Sequence, residues 1–248
     1  MKVAIFQFYL FGINTYVVYD PATLCCAVID PGMLGPEEEK AMSDFIAKNN
    51  LKLTHVINTH LHIDHAVGNA YLKEKYNVPV LANKADEPLG ERMQQQAMMF
   101  GINEKFKDIE ITQYISDGDV IKIGDGELKV IAVPGHSQGS VALYDEKDGF
   151  VIAGDALFQG SIGRTDLPGG HHQQLLDSIK SKLLTLPGDT VVYPGHGGGI
   201  ASVYFRSVSG MPAASDGDPE WCHFPGRRAS TLPYFLRSWN VLCRRSSH

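Results

Sequence analysis

The chain has 248 residues, of which 44% are hydrophobic and 20% are charged, values that are typical of a soluble globular domain. Its formal net charge of −6 argues against a protein that binds the phosphate backbone of nucleic acids. No apolar run approaches the roughly 20 residues needed to cross a bilayer, and polar residues interrupt the apolar start where a secretory signal would need a continuous one. We therefore expect a cytoplasmic protein without nucleic-acid or membrane partners.

Apolar segments bounded by turn-forming Gly, Pro and Asp predict ten strands. They lie at 3–8, 15–19, 26–29, 54–58, 78–82, 120–123, 128–133, 140–145, 149–152 and 190–193. Helical periodicity predicts four helices, at 37–49, 66–76, 85–100 and 172–186. Many strands with helices before, between and after them predict an α+β protein in which sheets lie inside and helices outside.

The segment 59–65 holds four metal-competent side chains directly after an apolar strand. His60 and His62 are two positions apart, so in an extended segment they project from one face. Asp64 and His65 follow where the chain turns into the next predicted helix. One short bend therefore offers imidazoles to one metal ion, and a carboxylate with an imidazole to another.

Three further residues of ligand type follow the ends of predicted strands. His136, Asp155 and His196 each come just after an apolar strand and directly after a glycine. Glycine lets the backbone turn sharply and approach a site closely. Three repeats of strand, glycine and ligand predict one sheet edge lined with metal donors.

These motifs resemble those of the metallo-β-lactamase superfamily. Its His-x-His-x-Asp-His pattern matches His60, His62, Asp64 and His65, and its three separate ligands match His136, Asp155 and His196. The resemblance covers about residues 1–198 and implies a four-layer αββα sandwich with a two-metal site at the sheet edges. Within the superfamily the chain is similar to the short glyoxalase II-like hydrolases. The stretches that carry this narrower match are 14–16, 29–32, 135–137 with 139–140, 154–158 and 161–166.

Chemistry and resemblance together suggest how the ligands are divided between two divalent ions. We assign His60, His62 and His136 to one ion, and Asp64, His65 and His196 to the second, with Asp155 bridging. Three imidazoles with an open position are typical of catalytic zinc, while a site with a carboxylate also suits iron or manganese. We therefore expect two zinc ions, with iron or manganese as alternatives, and Asp64 and Asp155 as the catalytic carboxylates.

The resemblance implies a thioesterase that cleaves hydroxyacyl-glutathione substrates, S-lactoylglutathione to lactate plus thiol, by a metal-bridged hydroxide. Arg164 is the best candidate for contacting a substrate carboxylate, with Tyr144 and Lys147 as weaker ones. One alternative is a persulfide dioxygenase, whose single iron would be held by His60, His136 and Asp155. A lactonase or β-lactamase-type hydrolase and a non-catalytic binding module are further alternatives. The sequence leaves the oligomeric state open.

Past Gly198 the chain changes in composition. Residues 1–198 contain 14 lysines and 2 arginines, whereas residues 199–248 contain 6 arginines and no lysine. This segment does not resemble the helical C-terminal domain of full-length glyoxalase II. We therefore predict a hydrolase domain at 1–198 and a poorly ordered tail at 199–248 that is foreign to the family, and we suggest a frame disruption as its origin.

Overall fold

A computed structural model describes residues 1–197 and 201–202. Its first six-stranded sheet has the same order in space as along the chain. The strands are β1 (Lys2–Gln7), β2 (Asn14–Tyr19), β3 (Cys25–Ile29), β4 (Lys52–Ile57), β5 (Val80–Ala82) and β6 (Gln113–Tyr114). β1 to β3 are antiparallel and β3 to β6 are parallel. Because the carboxyl ends of parallel strands meet at one edge, the loops after β3 and β4 lie side by side.

The second six-stranded sheet is mostly antiparallel. Its strands are β7 (Val120–Ile123), β8 (Gly126–Ala132), β9 (Val141–Asp145), β10 (Phe150–Gly154), β13 (Val191–Pro194) and β14 (Ala201–Ser202), and the small hairpin of β11 (Leu157–Phe158) and β12 (Ser161–Ile162) lies apart from it. The spatial order is β14-β13-β10-β9-β8-β7. β10 and β13 are parallel, so their carboxyl ends also point the same way.

Strand alternation distributes the apolar side chains over three buried clusters. In β2, Tyr16 and Val18 belong to a cluster with Leu143 and Ile152 of the second sheet, whereas Val17 belongs to a different one. Successive side chains of a strand point to opposite faces, so the first cluster lies between the sheets. The other two clusters lie on the outer faces, where the helices pack.

The helices cover both outer faces. They are α1 (Pro36–Lys48), α2 (Ile63–Ala66), α3 (Asn69–Tyr76), α4 (Glu87–Gly90), α5 (Met93–Met99) and α6 (His172–Ser178). Residues of α1, α3 and α5 pack on the first sheet, and Leu175 of α6 packs on the second. The predicted α+β class and four-layer αββα sandwich are confirmed.

Three predicted helices are shorter or more broken than expected. The helix predicted at 66–76 is divided because the Gly68 N–H donates to the Pro31 carbonyl at 2.8 Å instead of continuing the helical ladder. The helix predicted at 85–100 is divided after Gly90, whose carbonyl accepts from the Ile109 N–H at 2.9 Å. The helix predicted at 172–186 continues beyond α6 as a π-helical turn, Ile179–Leu183. In each case, tertiary contacts or local geometry override the helical period.

The predicted tail lies outside the described residues, apart from the two residues of β14, so its order and origin stay predictions. The boundary at residue 198 likewise stays a prediction. In the part of the chain that the structure describes, no helix has both the length and the apolar character that crossing a membrane requires.

Candidate metal centre

The structure brings all seven predicted ligand residues together at one edge of the two sheets. They come from the loops that follow four strands, one in the first sheet and three in the second. His60, His62, Asp64 and His65 follow β4, His136 follows β8, Asp155 follows β10 and His196 follows β13. The pattern of a buried strand followed by a polar residue thus corresponds to a single cluster.

Three imidazoles form the first donor set. The Nε2 of His136 lies 2.9 Å from the Nδ1 of His62 and 3.2 Å from the Nε2 of His60. All three side chains are buried. The three nitrogens are mutually close enough to bind one ion, and this is the set that the sequence assigned to the first site.

Two imidazoles and a carboxylate form the second donor set. The Nε2 of His196 lies 3.2 Å from the Nε2 of His65 and 3.0 Å from the Oδ2 of Asp64. These three atoms also converge closely enough to bind one ion. His65 is fully buried, while His196 lies nearer the surface.

Asp155 lies between the two sets. Its Oδ2 is 3.6 Å from the Nε2 of His136 and 3.5 Å from the Nε2 of His196, and its Oδ1 is 3.4 Å from the Nε2 of His65. The carboxylate therefore faces both sets, as a bridging ligand must.

Hydrogen bonds behind the cluster determine which nitrogen carries the proton in two of the rings. The Nδ1 of His136 faces the Arg164 carbonyl at 2.8 Å, and the Nδ1 of His196 faces the Phe11 carbonyl at 3.1 Å. A carbonyl only accepts, so both Nδ1 atoms must donate. In the neutral ring, Nε2 then presents a lone pair to the cluster.

Asp30 orients two further rings. Its Oδ2 accepts from the Nδ1 of His65 at 3.0 Å and from the Oγ1 of Thr59 at 2.6 Å. Because the Thr59 hydroxyl donates to Asp30, it can accept from the Nδ1 of His60, which lies 3.1 Å away. Asp30 thus directs the Nε2 lone pairs of His65 and His60 to the cluster, as the outer carboxylates of metal sites do.

Asp30 is itself a non-ligand, although it lies close to His60 and His65. Both its oxygens are occupied, since Oδ1 accepts from the Thr59 N–H at 2.7 Å. In the sequence, Asp30 stands out only as a member of the stretch 29–32 that matches the glyoxalase II-like hydrolases. The signal that could have revealed its role is the same one that marked the ligands, a polar residue directly after a buried strand.

The pKa values of the imidazoles are lowered in the first donor set and raised in the second. Burial, together with the neighbouring imidazoles, lowers the pKa of His60 well below its usual range and that of His62 to about 3. Burial also lowers the pKa of His136. The first set is therefore neutral near pH 7, which is the state that binds metal.

Carboxylates surround the imidazoles of the second set and raise the pKa values of both His65 and His196. Burial lowers the pKa of His65, but the carboxylates of Asp155, Asp64 and Asp30 outweigh it and raise that pKa well above its usual range. Burial raises the pKa values of Asp64 and Asp155, but the adjacent imidazoles outweigh it and lower both. Two ionised carboxylates beside His65 need a cation, and a divalent ion would satisfy them in place of a proton.

Two observations test whether the residues fit metal ions. First, the imidazole nitrogens of the first set lie 2.9 to 3.2 Å apart, and their facing lone pairs repel each other unless they share a cation. Second, the Oδ1 of Asp155 is buried without a hydrogen-bond donor among the described residues. A Cβ on Gly195 would lie 2.1 Å from that oxygen and 2.7 Å from the Cε1 of His65. Glycine thus keeps the centre open, and neutral imidazoles with carboxylates are a donor set for zinc, iron or manganese.

The segment Asn14-Thr15-Tyr16 at the start of β2 holds two of the loops. The Nδ2 of Asn14 donates to the carbonyls of Pro194 and Gly197, on either side of His196. The hydroxyl of Tyr16 also donates to the Pro194 carbonyl. The Oγ1 of Thr15 donates to the Asp30 carbonyl at 2.6 Å. This stretch therefore supports the metal centre from behind.

Two of the three candidates for substrate binding, Arg164 and Tyr144, have different surroundings. Arg164 lies beside the centre, since its carbonyl holds His136, and its exposed guanidinium makes two hydrogen bonds of 2.7 Å to Asp166. Tyr144 is buried in the cluster between the second sheet and α6. The structure does not bring Tyr144 to the metal-ligand cluster, because its position in β9 directs it to the helix-covered face.

Comparisons with known proteins agree with this architecture. A profile of the Metallo-beta-lactamase superfamily matches residues 9–196, a range that contains both donor sets. An uncharacterized protein of Aquifex aeolicus is 41% identical over 188 residues, which cover 75% of this chain and 84% of the relative.

Two further relatives are more informative about chemistry. Hydroxyacylglutathione hydrolase GloC of Haemophilus influenzae is 30% identical over 198 residues, which cover 79% of this chain and 91% of the relative. The crystal structure of TTHA1623 in a di-iron-bound form is similar with a TM-score of 0.72 and 31% identity, and the match covers 84% of this chain and 98% of that one.

Proposed function

Because this chain belongs to the metallo-β-lactamase superfamily, we propose that it is a metal-dependent thioester hydrolase acting on hydroxyacyl-glutathione substrates. The reaction would convert S-lactoylglutathione to lactate and the free thiol. The similarity to a hydroxyacylglutathione hydrolase supports this substrate class. The observation that carries the proposal is the pair of adjacent donor sets joined by Asp155.

The proposed ligands keep the assignment made from the sequence. His60, His62 and His136 would hold one ion, Asp64, His65 and His196 would hold the second, and Asp155 would serve both. Divalent ions bound there would lower the pKa of a water nucleophile and polarise the thioester carbonyl. Zinc is the expected metal, and the di-iron relative supports iron as an alternative.

The side chains of this chain orient the reacting groups. Asp64 and Asp155 stay ionised near neutral pH because His65 and His196 lower their pKa values, so both carboxylates can accept a hydrogen bond from the attacking water and orient it. Hydrogen bonds behind the cluster hold the Nδ1 atoms of four rings and so fix their orientation during turnover, those of His60, His65, His136 and His196. Burial of the first donor set limits its access to bulk water.

A serine nucleophile does not compete with this mechanism at the same site. Ser137, next to His136, is fully buried, and its Oγ donates to the Oδ2 of Asp86 at 2.7 Å. An attacking hydroxyl must be exposed to substrate and lie beside a general base. Ser137 lacks the exposure.

We propose that Arg164 contacts the carboxylate of the thiol portion of the substrate. Its side chain is 55% exposed and lies on the loop that also holds His136. The exposed pair with Asp166 contributes little to stability, so a substrate carboxylate can replace Asp166.

The direct test is hydrolysis of S-lactoylglutathione by the purified full chain after loading with zinc, iron or manganese. We expect His62→Ala to lower kcat/KM by more than about 100-fold, since loss of an outer partner alone costs about 10- to 100-fold. His55→Ala is the matched control, because His55 lies on β4 and bonds Thr54 outside the cluster. Equal loss in both variants would contradict the role of His62 in the metal centre. Hydrolysis of nitrocefin or a lactone but not of thioesters would contradict the proposed substrate class.

A second candidate, a persulfide dioxygenase with one iron, is supported by a subset of the same contacts. The Nε2 of His136 lies 3.2 Å from the Nε2 of His60 and 3.6 Å from the Oδ2 of Asp155. Two imidazoles and one carboxylate suit non-haem iron. Metal analysis separates the candidates: one iron and no zinc per chain, with oxygen consumption on a persulfide, would favour oxygenation.

A further inference from the structure

A buried carboxylate outside the ligand set joins the two loops of the first donor set. Asp86 is 1% exposed. Its Oδ1 accepts from the Gly139 N–H at 2.6 Å, and its Oδ2 accepts from the Leu61 N–H at 3.1 Å and from the Oγ of Ser137 at 2.7 Å. Leu61 lies between His60 and His62, and Ser137 follows His136 directly.

A buried amide on α5 holds the same bend from another direction. The Oε1 of Gln96 accepts from the Ile63 N–H at 3.0 Å, and its Nε2 donates to the carbonyls of Leu61 at 3.1 Å and Leu89 at 2.9 Å. Leu61 and Ile63 flank His62. Both peptide groups of Leu61 are therefore fixed by side chains, the N–H by Asp86 and the carbonyl by Gln96.

The packing of the fold alone does not account for a buried carboxylate at this position. A buried carboxylate without a cation is costly, and in the described residues no lysine or arginine pairs with Asp86. Its three partners are neutral donors, and all three belong to the segments that carry metal-ligand residues. Asp86 thus connects the loop after β4 in one sheet to the loop after β8 in the other.

We propose that Asp86 and Gln96 are positioning residues that hold His62 and His136 at the separation required by the first metal ion. The proposal rests on the proposed metal centre and adds the residues that set its geometry. Neither side chain touches the ion or the substrate. They act through the backbone on either side of His62 and after His136.

The first test is Asp86→Asn in the full chain loaded with cobalt. Asparagine keeps the size but has one accepting oxygen, so its amide N–H₂ must face at least one of the N–H groups of Leu61 or Gly139. In competition with a chelator, we expect the affinity of the variant for one of the two cobalt ions to be about 10-fold weaker or more. This lies within the usual cost of losing a residue that hydrogen-bonds to a metal ligand. The visible cobalt absorption, which depends on ligand number and geometry, should change as well.

The matched control is Asp20→Asn. Asp20 is also buried and also accepts from two N–H groups and one hydroxyl, those of Ala22, Asp125 and Thr23. These contacts lie in turns away from the metal ligands. We expect this variant to be destabilised but to keep the cobalt spectrum and cobalt affinity within twofold of the parent chain.

A second pair of variants covers the case in which Asp86→Asn does not fold. Gln96→Met removes the contacts to Leu61 and Ile63 and keeps a good helix former, while Gln94→Met on the same helix removes contacts to Glu104 and Phe106 only. A cobalt spectrum altered in Gln96→Met alone supports the proposal.

Three outcomes decide the matter. Weakened cobalt binding in Asp86→Asn or Gln96→Met, with intact binding in the controls, supports the positioning role. Equal behaviour of variants and controls overturns the inference but leaves the proposed function standing. A parent chain that binds no cobalt overturns both.

Discussion

Replacing Asp30 by asparagine should weaken the metal centre without disturbing the backbone. Asp30 has a φ of 50°, and asparagine adopts this left-handed conformation about as readily as aspartate. The carboxylate accepts three hydrogen bonds, two from Thr59 and one from His65. Asparagine can accept on one side only.

Both orientations of the new amide are unfavourable. With its N–H₂ toward His65, the ring must move its proton to Nε2, which removes the lone pair directed at the second ion. With its N–H₂ toward the Thr59 N–H, a buried donor stays unpaired. Hydrogen bonds to charged groups contribute about 1.5 to 3 kcal/mol, which corresponds to roughly 10- to 100-fold in affinity. This agrees with the usual cost of removing an outer partner of a metal ligand.

The assay is competition for zinc between the full chain and a chromophoric chelator, with S-lactoylglutathione hydrolysis measured in parallel. We expect Asp30→Asn to lose affinity and activity about 10- to 100-fold, and Asp20→Asn to keep both. Zinc affinity within twofold of the parent chain would refute the argument that Asp30 sets the tautomers of His65 and His60.

Three more predictions concern the same region. Gly163→Ala should lower activity more than 10-fold, because its Cβ would lie 1.8 Å from the Asp155 carbonyl. Gly149→Ala is the control, because Gly149 has a φ of 68° and open space around it. We expect it to lower the free energy of unfolding, measured in urea, by only about 1 to 2 kcal/mol and to leave activity unchanged. Arg164→Ala should raise KM several-fold with little change in kcat; an unchanged KM in steady-state assays would remove Arg164 from the substrate site. Removing metal with a chelator should lower the Tm, and adding zinc should restore it; a Tm that does not respond in a thermal shift assay would show that no metal binds the native state.

The sequence predicted the layers of the fold because strand alternation is a local property. Val17 and its neighbours Tyr16 and Val18 pack on opposite faces, as their spacing requires. Helix lengths were predicted less well, since the breaks at Gly68 and Gly90 depend on hydrogen bonds to distant residues. The strands β6, β11, β12 and β14 have two residues each, too few for a period to be detected.

The ligand residues were predictable because they follow strands at fixed spacing, but their supports were not. Asp86 and Gln96 lie within a segment that reads as an amphipathic helix, and nothing local distinguishes a buried carboxylate from an exposed one. Tyr144 was chosen for its chemistry, whereas its direction depends on the register of β9. The substrate, the cytoplasmic location and the nature of the tail stay predictions.

The most direct measurement is anomalous diffraction from crystals of the metal-loaded full chain. We predict two peaks about 3.5 to 4 Å apart, one among the first donor set and one among the second, with Asp155 between them. A single peak held by His60, His136 and Asp155 would favour the mono-iron alternative. Peaks elsewhere, or none after loading, would contradict the two-metal hydrolase.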